Sequence, residues 1–451
     1  DYNTMSTELF IPRTTPISKT IATAIMRGKI APSQILWIFI IFYDETIYAE
    51  KAYPMGCSDK PATYYDYDNY PFPPKNTPIH TTDDYQLVRR LGSGKFSDVF
   101  EAIDMRKSSS NFAEPEPVVL KCLKPVSDRK IRRELLVLSH CARLPNLVRL
   151  LGVVVPEHSN NNNNTIDSSS KNNKMPTLVL QHAGVNSQWL CHGKGAVVGH
   201  HGKHRQEQHH DYLSDYEIRY YLYHLLVALD SLHAAGIMHR DVKPRNILIN
   251  RAAFTAGVEP LLLIDLGLAD MYLPNTKYNP RVASRAYKSP ELLVGYAYYD
   301  YAMDLWGVGC ILAGLLWRRE PFFRGKNNAD QLGKIVAVLG TQDLLAYMKK
   351  YQLEFTPELR QVLAQYVQRG EGRKERMPWT EFVSSSDYIQ EDACDLLDKL
   401  LVYDHAERWT AKQAMEHVFF DPVRERVHNE LIRLFPNLPI NKMWVFKDQN
   451  L

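Results

Sequence analysis

His239-Arg240-Asp241-Val242-Lys243-Pro244-Arg245-Asn246, followed by Ile247-Leu248-Ile249, sets polar chemistry directly ahead of an apolar strand. Asp241 has the carboxylate to accept a hydroxyl proton, and Lys243 has the charge to neutralise a moving phosphoryl group. Asn246 has a side-chain oxygen for Mg²⁺, a hard cation that takes oxygen ligands. Leu261-Leu262-Leu263-Ile264-Asp265-Leu266-Gly267 places a second carboxylate straight after another apolar strand, where the glycine turn can aim Asp265 at the same metal. The chemistry these groups share is phosphoryl transfer.

A phosphate cradle lies upstream. Leu91-Gly92-Ser93-Gly94-Lys95-Phe96-Ser97-Asp98-Val99 sits between two strand patterns, and its glycines let backbone N–H groups approach a polyphosphate closely. Gly-x-Gly hairpins are common and Ser97 stands where a third glycine is usual, so a plain hairpin competes for this segment taken alone. Val119-Leu120-Lys121 then puts a lysine inside an apolar strand, where a lone ammonium is costly and seeks an anion. Glu134 falls among Ile131, Leu135 and Leu138, on the face its helix must bury, and needs a partner too. Pairing Lys121 with Glu134 answers both needs and leaves the lysine able to hold phosphate oxygens. A purely structural ion pair explains the two charges but not the glycine loop beside them.

The elements that must position these groups fall into two parts. Tyr85 to Lys121 alternates and is β-branched, as a small antiparallel sheet requires, and further strands are expected at Leu147–Val155 and Thr177–Leu180. From Asp215 helices dominate: Ile218, Tyr221, Leu222, Leu225, Leu226, Leu229 and Leu232 form one apolar stripe, and Trp306 to Trp317 is apolar nearly all round, as a central buried helix would be. Residues 1–84 form an irregular extension whose Pro71, Pro73, Pro74 and Pro78 deny a helix. The β-rich unit covers 85–183 with a polar insert at 157–175. The helical unit covers 184–421 with a Gly/His-rich insert at 184–212, and 422–451 is a tail. The histidines of that second insert match no metal-ligand spacing, so a solvated loop is expected.

Composition narrows the classes. Hydrophobic residues make up 45% of 451, charged residues 23%, and the formal charge is +3, too mild to make nucleic acid or an anionic membrane the main partner. Six cysteines without C-x-x-C spacing suit a reducing compartment. Ile35 to Tyr43, behind Arg27 and Lys29, has the length of a signal-peptide core but is far short of a membrane helix. No small-x-small cleavage site follows it, and an unstructured extension is expected there. The chain opens on Asp1 rather than Met, so a fragment or a misassigned gene start is expected.

Taken together, the loop, the Lys121–Glu134 pair, the Asp241–Asn246 run and Asp265 resemble the protein-kinase signature over Tyr85 to about Phe420. Ser289-Pro290-Glu291, the buried Asp304-Leu305-Trp306-Gly307 and Arg408, expected to pair with Glu291, extend the likeness. Asp84 to Gly92, Gly236 to Pro244, Arg281-Val282-Ala283-Ser284-Arg285, Glu320 to Phe323 and Tyr403-Asp404-His405 resemble the catalytic (alpha) subunits of casein kinase II. Tyr64-Tyr65-Asp66-Tyr67 is similar to the N-terminal segment that packs on their kinase core.

The resemblance implies an α+β, two-lobed protein-kinase-like fold with a small β-rich N-lobe and a larger α-helical C-lobe. It implies an ATP-dependent serine/threonine kinase with Asp241, Lys243, Asn246, Lys121 and Glu134 as catalytic residues. ATP would lie against Leu91–Val99, Val119, Lys121, Gln181, Leu248, Ile264 and Asp265, with Mg²⁺ on Asn246 and Asp265. It further implies a regulatory (beta) subunit dimer on the outer face of the small sheet near Leu87 and Phe100, giving a tetramer, and a nuclear and cytoplasmic location.

Two cation groups bear on the substrate. Arg129, Arg132 and Arg133 fall at i, i+3, i+4 on the helix of Glu134 and are expected to face outward together with Lys130 beside them. Arg281, Arg285 and Lys288 lie where a kinase presents the reacting residue. An acidic peptide, with Asp, Glu or phosphoserine just after its Ser/Thr, would meet both groups. The competing reading of such a run is a solvated face. Two functional rivals stand beside the main one: a pseudokinase scaffold, and a kinase directed to Ser/Thr-Pro sites.

Overall fold

The computed structural model describes residues 64–74, 77–106, 116–155, 175–184, 187–190, 212–251, 259–368, 375–382 and 390–434. The extension before residue 64, the apolar run 35–43, most of both inserts with their Asn and His tracts, and the end of the tail lie outside them.

The first part is a six-stranded sheet. Its strands are β1 (Ile79–His80), β2 (Tyr85–Ser93), β3 (Ser97–Asp104), β4 (Pro117–Leu123), β5 (Leu150–Val154) and β6 (Thr177–Gln181), in the spatial order β1-β5-β6-β4-β3-β2. β1 joins parallel to β5 from within the segment expected to be irregular. Two register shifts break the β2–β3 pairing, between Leu87 and Arg89 and between Arg90 and Gly92. The second lies where the hairpin leaves the sheet as the glycine-rich loop. Helix α1 (Asp128–Cys141) packs its Ile131, Leu135 and Leu138 face inward, as the spacing requires.

The second part is helical. It comprises α2 (Asp215–Ala234), α3 (Pro290–Leu293), α4 (Ala302–Leu316), α5 (Asn328–Leu339), α6 (Gln342–Lys350), α7 (Pro357–Gln368), α8 (Glu391–Leu400), α9 (Ala411–Met415) and α10 (Asp421–Leu434). Helix α2 begins at a capping box: Ser214 Oγ accepts from Glu217 N at 3.2 Å, while Glu217 Oε2 accepts from Ser214 N at 2.8 Å. Such a cap is worth about 1 kcal/mol. Every member of the expected α2 stripe is buried, and α4 is buried from Met303 to Leu315 around Trp306. α2 and α4 lie at the centre of one continuous apolar core that reaches α1 and the inner strands.

Short strands carry the chemistry between the parts. β7 (Ser187–Trp189), β9 (Ile247–Asn250) and β10 (Leu261–Leu263) form one small sheet. β8 (Ile237–Met238) pairs with β11 (Asp270–Met271). β7 falls inside the stretch expected to be a loop; it pairs with β9, where Ser187 and Leu190 (just beyond the strand) are buried. The tail likewise continues as a helix as far as Leu434. Among the described residues no helix is long and apolar enough to cross a membrane.

Candidate active site

Lys121 sits on β4 opposite Val99 of β3, so the sheet register sets it behind the glycine-rich loop. Its Nζ lies 2.7 Å from Glu134 Oε1 and 2.9 Å from Asp265 Oδ1. Burial pulls the ammonium toward neutrality, but the two carboxylates outweigh it and hold its pKa above the ordinary lysine value. Asp265 answers in the opposite sense: burial raises its pKa, and Lys121 more than reverses that. The expected Lys121–Glu134 pair therefore forms, with the carboxylate of Asp265 as a third member. Gly267 packs against the triad. A Cβ there would lie 3.3 Å from Asp265 Oδ1 and 3.4 Å from Glu134 Oε2.

Asp265 itself takes a left-handed backbone, φ 63 and ψ 69, which turns its carboxylate out of the β10 direction. Leu266 beside it is buried in the main apolar core.

The Asp241 turn is held from below by α4. Asp304 accepts from the backbone N–H groups of His239 and Arg240 at 2.8 Å each, and His233 Nε2 lies 2.9 Å from it. A Cβ at Gly307 would meet Val242 O at 2.9 Å, so only glycine lets the loop rest on this helix. Arg240 holds φ 65 under these bonds.

Four donors converge on the Asp241 carboxylate. Oδ1 accepts from Ser284 N and Ser284 Oγ, both at 2.9 Å. Oδ2 accepts from Lys243 Nζ and from Asn246 Nδ2, the latter at 3.1 Å. Lys243 Nζ also donates to Ser284 Oγ at 2.9 Å. Asp241, Lys243 and Asn246 are thus brought together. Ser284 joins them as a member that the sequence reading placed only in a matching motif.

Asn246 Nδ2 also donates to Asp241 O, at 2.9 Å. This turns Asn246 Oδ1 away; neither it nor Asp265 Oδ2 has a hydrogen-bond donor among the described residues. Two oxygen donors of this kind fit a hard divalent cation. The halves of the site are tied by Ile264 N donating to Asn246 O at 2.9 Å and by His239 Nε2 lying 3.2 Å from Ile264 O.

The apolar residues expected around a base, Leu91, Val99, Val119, Leu248 and Ile264, are each half-buried. Gln181 departs from expectation. Its Oε1 accepts from Arg149 Nε at 3.0 Å and its Nε2 donates to Glu259 at 3.2 Å, so its side chain is engaged there, and its backbone N–H donates to Arg149 O at 2.9 Å. Within the loop, Ser93, Gly94, Lys95 and Phe96 are exposed and Gly92 is half-buried, while Ser97 begins β3. The Asp98 carboxylate is taken by Ser93, Arg90 and Lys124, whose bonds hold its pKa below the usual carboxylate value.

Compared with models of known families, the chain matches the protein kinase domain over residues 85–420, about three quarters of its length. The chain belongs to the protein kinase family. The kinase accordingly has the six-stranded sheet lobe and helical lobe of that fold, and phosphoryl transfer from ATP to a protein is the activity the family implies. Glu291 and Arg408 of this kinase pair as expected: Arg408 Nη1 and Nη2 lie 2.9 and 3.1 Å from the carboxylate, both side chains wholly enclosed.

The cations of α1 need correction. Arg129, Arg132 and Arg133 do not face outward together without partners. Residues 64–70 of the kinase lie along α1. Arg129 Nε donates to Asp68 at 2.8 Å and its guanidinium covers the Tyr67 ring, while Arg132 binds Tyr70 O and Asp128. Arg133 turns inward to Asp270 Oδ2 at 3.3 Å and to Gly267 O at 3.1 Å. The spacing argument missed this because, apart from Asp128 on the same helix, the partners come from distant segments of the chain. Arg129, despite these partners, and Lys130, over the Phe96 ring, remain exposed.

Asp270 also takes Arg240, at 2.8 Å, and so clamps α1 to the Asp241 turn. In the other group Arg281 and Arg285 are exposed, whereas Lys288 is buried. Burial, and then the neighbouring charge of Arg285, lower the Lys288 pKa.

Proposed function

We propose that this kinase uses Mg²⁺ and ATP to phosphorylate serine or threonine hydroxyls followed by acidic residues, as casein kinase II catalytic subunits do. The acidic preference is carried by one observation. Arg281, Arg285 and Lys288 have no carboxylate within ion-pair distance among the described residues, yet they share a segment with Ser284, which touches Asp241. The exposed Arg281 and Arg285, without an internal carboxylate and beside the group that receives the acceptor, favour an anionic peptide, whereas Lys288 is buried with its Nζ on Pro280 O at 3.3 Å. A proline-directed site would need an apolar pocket there instead. The intact Lys121, Asp241, Asn246 and Asp265 set argues against a scaffold without catalysis.

The geometry supports the following division of labour. The loop N–H groups and Lys121 hold the triphosphate, with Lys121 oriented by Glu134. Asn246 and Asp265 would hold Mg²⁺, which supplies charge neutralisation at the phosphates. Asp241, its carboxylate fixed by Asn246 and Lys243, orients the acceptor hydroxyl and takes its proton. The hydroxyl oxygen bonds to the γ-phosphorus as the bond to the β–γ bridging oxygen breaks, and ADP leaves. Lys243, bonded to both Asp241 and Ser284, steadies the charge on the transferring group. The exposed apolar side chains of Leu87 and Val88 on β2, near Phe100, support the outer sheet face as the seat of a regulatory-subunit dimer.

A peptide library phosphorylated by the full chain tests the reading. Enrichment of Asp or Glu just after the acceptor is expected. Enrichment of proline there, or no transfer at all, would overturn it.

A further inference from the structure

Lys124 follows the strand that carries Lys121, and its ammonium meets three oxygens of the glycine-rich loop. Nζ donates to Gly94 O at 2.8 Å and to Ser93 Oγ at 3.3 Å, and it lies 3.1 Å from Asp98 Oδ1. The Lys124 backbone N–H also donates to Phe96 O at 2.9 Å. Asp98 Oδ1 in turn takes Ser93 Oγ and Arg90 Nη2, each at 2.6 Å.

Steric packing does little to hold this loop. A Cβ at Gly92 would meet nothing within 4 Å, and one at Gly94 only Ser97 O at 3.7 Å. The bond from Gly94 N to Ser97 O, 2.8 Å, closes the hairpin but does not fix its height above β4. That height is set by the polar ties to Lys124. A loop left to wander must be ordered by its ligand, and that ordering is subtracted from affinity.

We propose that Lys124 is a positioning residue that holds Gly92–Val99 at the height where its N–H groups and Lys121 grip one polyphosphate together. The proposal rests on the reading of this site as a nucleotide-phosphate site. Lys124 acts through the loop, so its contribution tracks the phosphates of the ligand and not the base.

The test uses the full chain and its Lys124→Met variant, which keeps the stem and removes the charge. Binding of Mg-ATP and of adenosine is measured by calorimetry. The variant should bind Mg-ATP about three- to tenfold more weakly and adenosine equally well. KM for ATP should rise with the peptide KM unchanged, and the unfolding midpoint without nucleotide should move by less than about 2 °C. Asp98→Asn, which weakens one of the ties, should give a smaller loss of the same kind. Equal Mg-ATP affinity in Lys124→Met and the unaltered chain would overturn the proposal, and so would an equal loss for adenosine. If the unaltered chain itself binds no Mg-ATP, the nucleotide reading falls and this proposal with it.

Discussion

Lys121 Nζ stands 2.9 Å from Asp265 Oδ1, across 144 positions of chain. This bond joins the sheet that carries the glycine-rich loop to the turn that carries Asp265, the carboxylate proposed to hold Mg²⁺. Lys121→Met would leave Glu134 and Asp265 facing each other without their shared cation. We expect phosphotransfer to fall at least about a hundredfold and stability to fall by about 3 kcal/mol, because a buried carboxylate loses its partner. Turnover assays and urea unfolding check the two effects separately.

Asp241→Ala should cost about 10²–10⁴ in turnover with the fold intact, the range for loss of a general base. Ser284→Ala should cost about tenfold or less, because Lys243 and Asn246 still hold the carboxylate. Ser284→Thr should recover most of that loss. If Ser284→Ala equalled Asp241→Ala, Ser284 would have to touch the reacting atoms.

Arg408 and Glu291 are both wholly enclosed, so neither charge can reach water if the other is removed. Arg408→Met should destabilise the chain by about 3–5 kcal/mol. A shift of the urea midpoint without a change of slope is expected. An unchanged midpoint would contradict the enclosure.

Acid should unfold the protein through a small set of carboxyls. In Glu291, Asp304 and Asp265 burial works to raise the pKa, and Arg408, His233 and Lys121 respectively overcome it, leaving each below its ordinary value. The unfolded chain therefore takes up these protons at higher pH than the native one does. The stabilisation is complete above the ordinary values of 4.5 and 3.8 and is lost as pH falls below them. The thermal midpoint should decline gradually below about pH 6.5, where burial keeps His224, His80 and His182 from taking up protons, and then steeply below about pH 5 as these carboxyls titrate; a flat midpoint down to pH 3 would refute this account.

Peptide selectivity should be spread over several rim charges. Arg281→Ala and Arg285→Ala should each reduce kcat/KM for an acidic peptide about two- to fivefold, the scale of exposed charge pairs, and added salt should shrink the difference. Variants that lower activity equally on acidic and neutral peptides would disconnect these arginines from selectivity.

Much of the site was legible because each functional group followed a local necessity. A lysine in Val119-Leu120-Lys121 had to find an anion, and Glu134 on a buried helix face had to find a cation. The buried character of α4 was plain from its uninterrupted apolar run. What escaped was whatever depended on segments meeting from afar. Nothing near Arg129 or Arg133 announces Asp68 or Asp270, and nothing in Gln181 announces Glu259. The strand Ser187–Trp189 was hidden because its three residues are held by pairing with β9 and carry no periodic signal of their own. Ile79–His80 escaped for the same reason, with parallel pairing to β5 in place of a pattern.

Asp270 bridges Arg133 and Arg240 with a carboxylate that belongs to the chain from the moment of its synthesis. A phosphate group in such a position could be written by one enzyme and erased by another. An aspartate offers no ester bond to hydrolyse, so this joint between helix and turn needs no modifying enzyme to form it, and a phosphatase finds nothing there to remove.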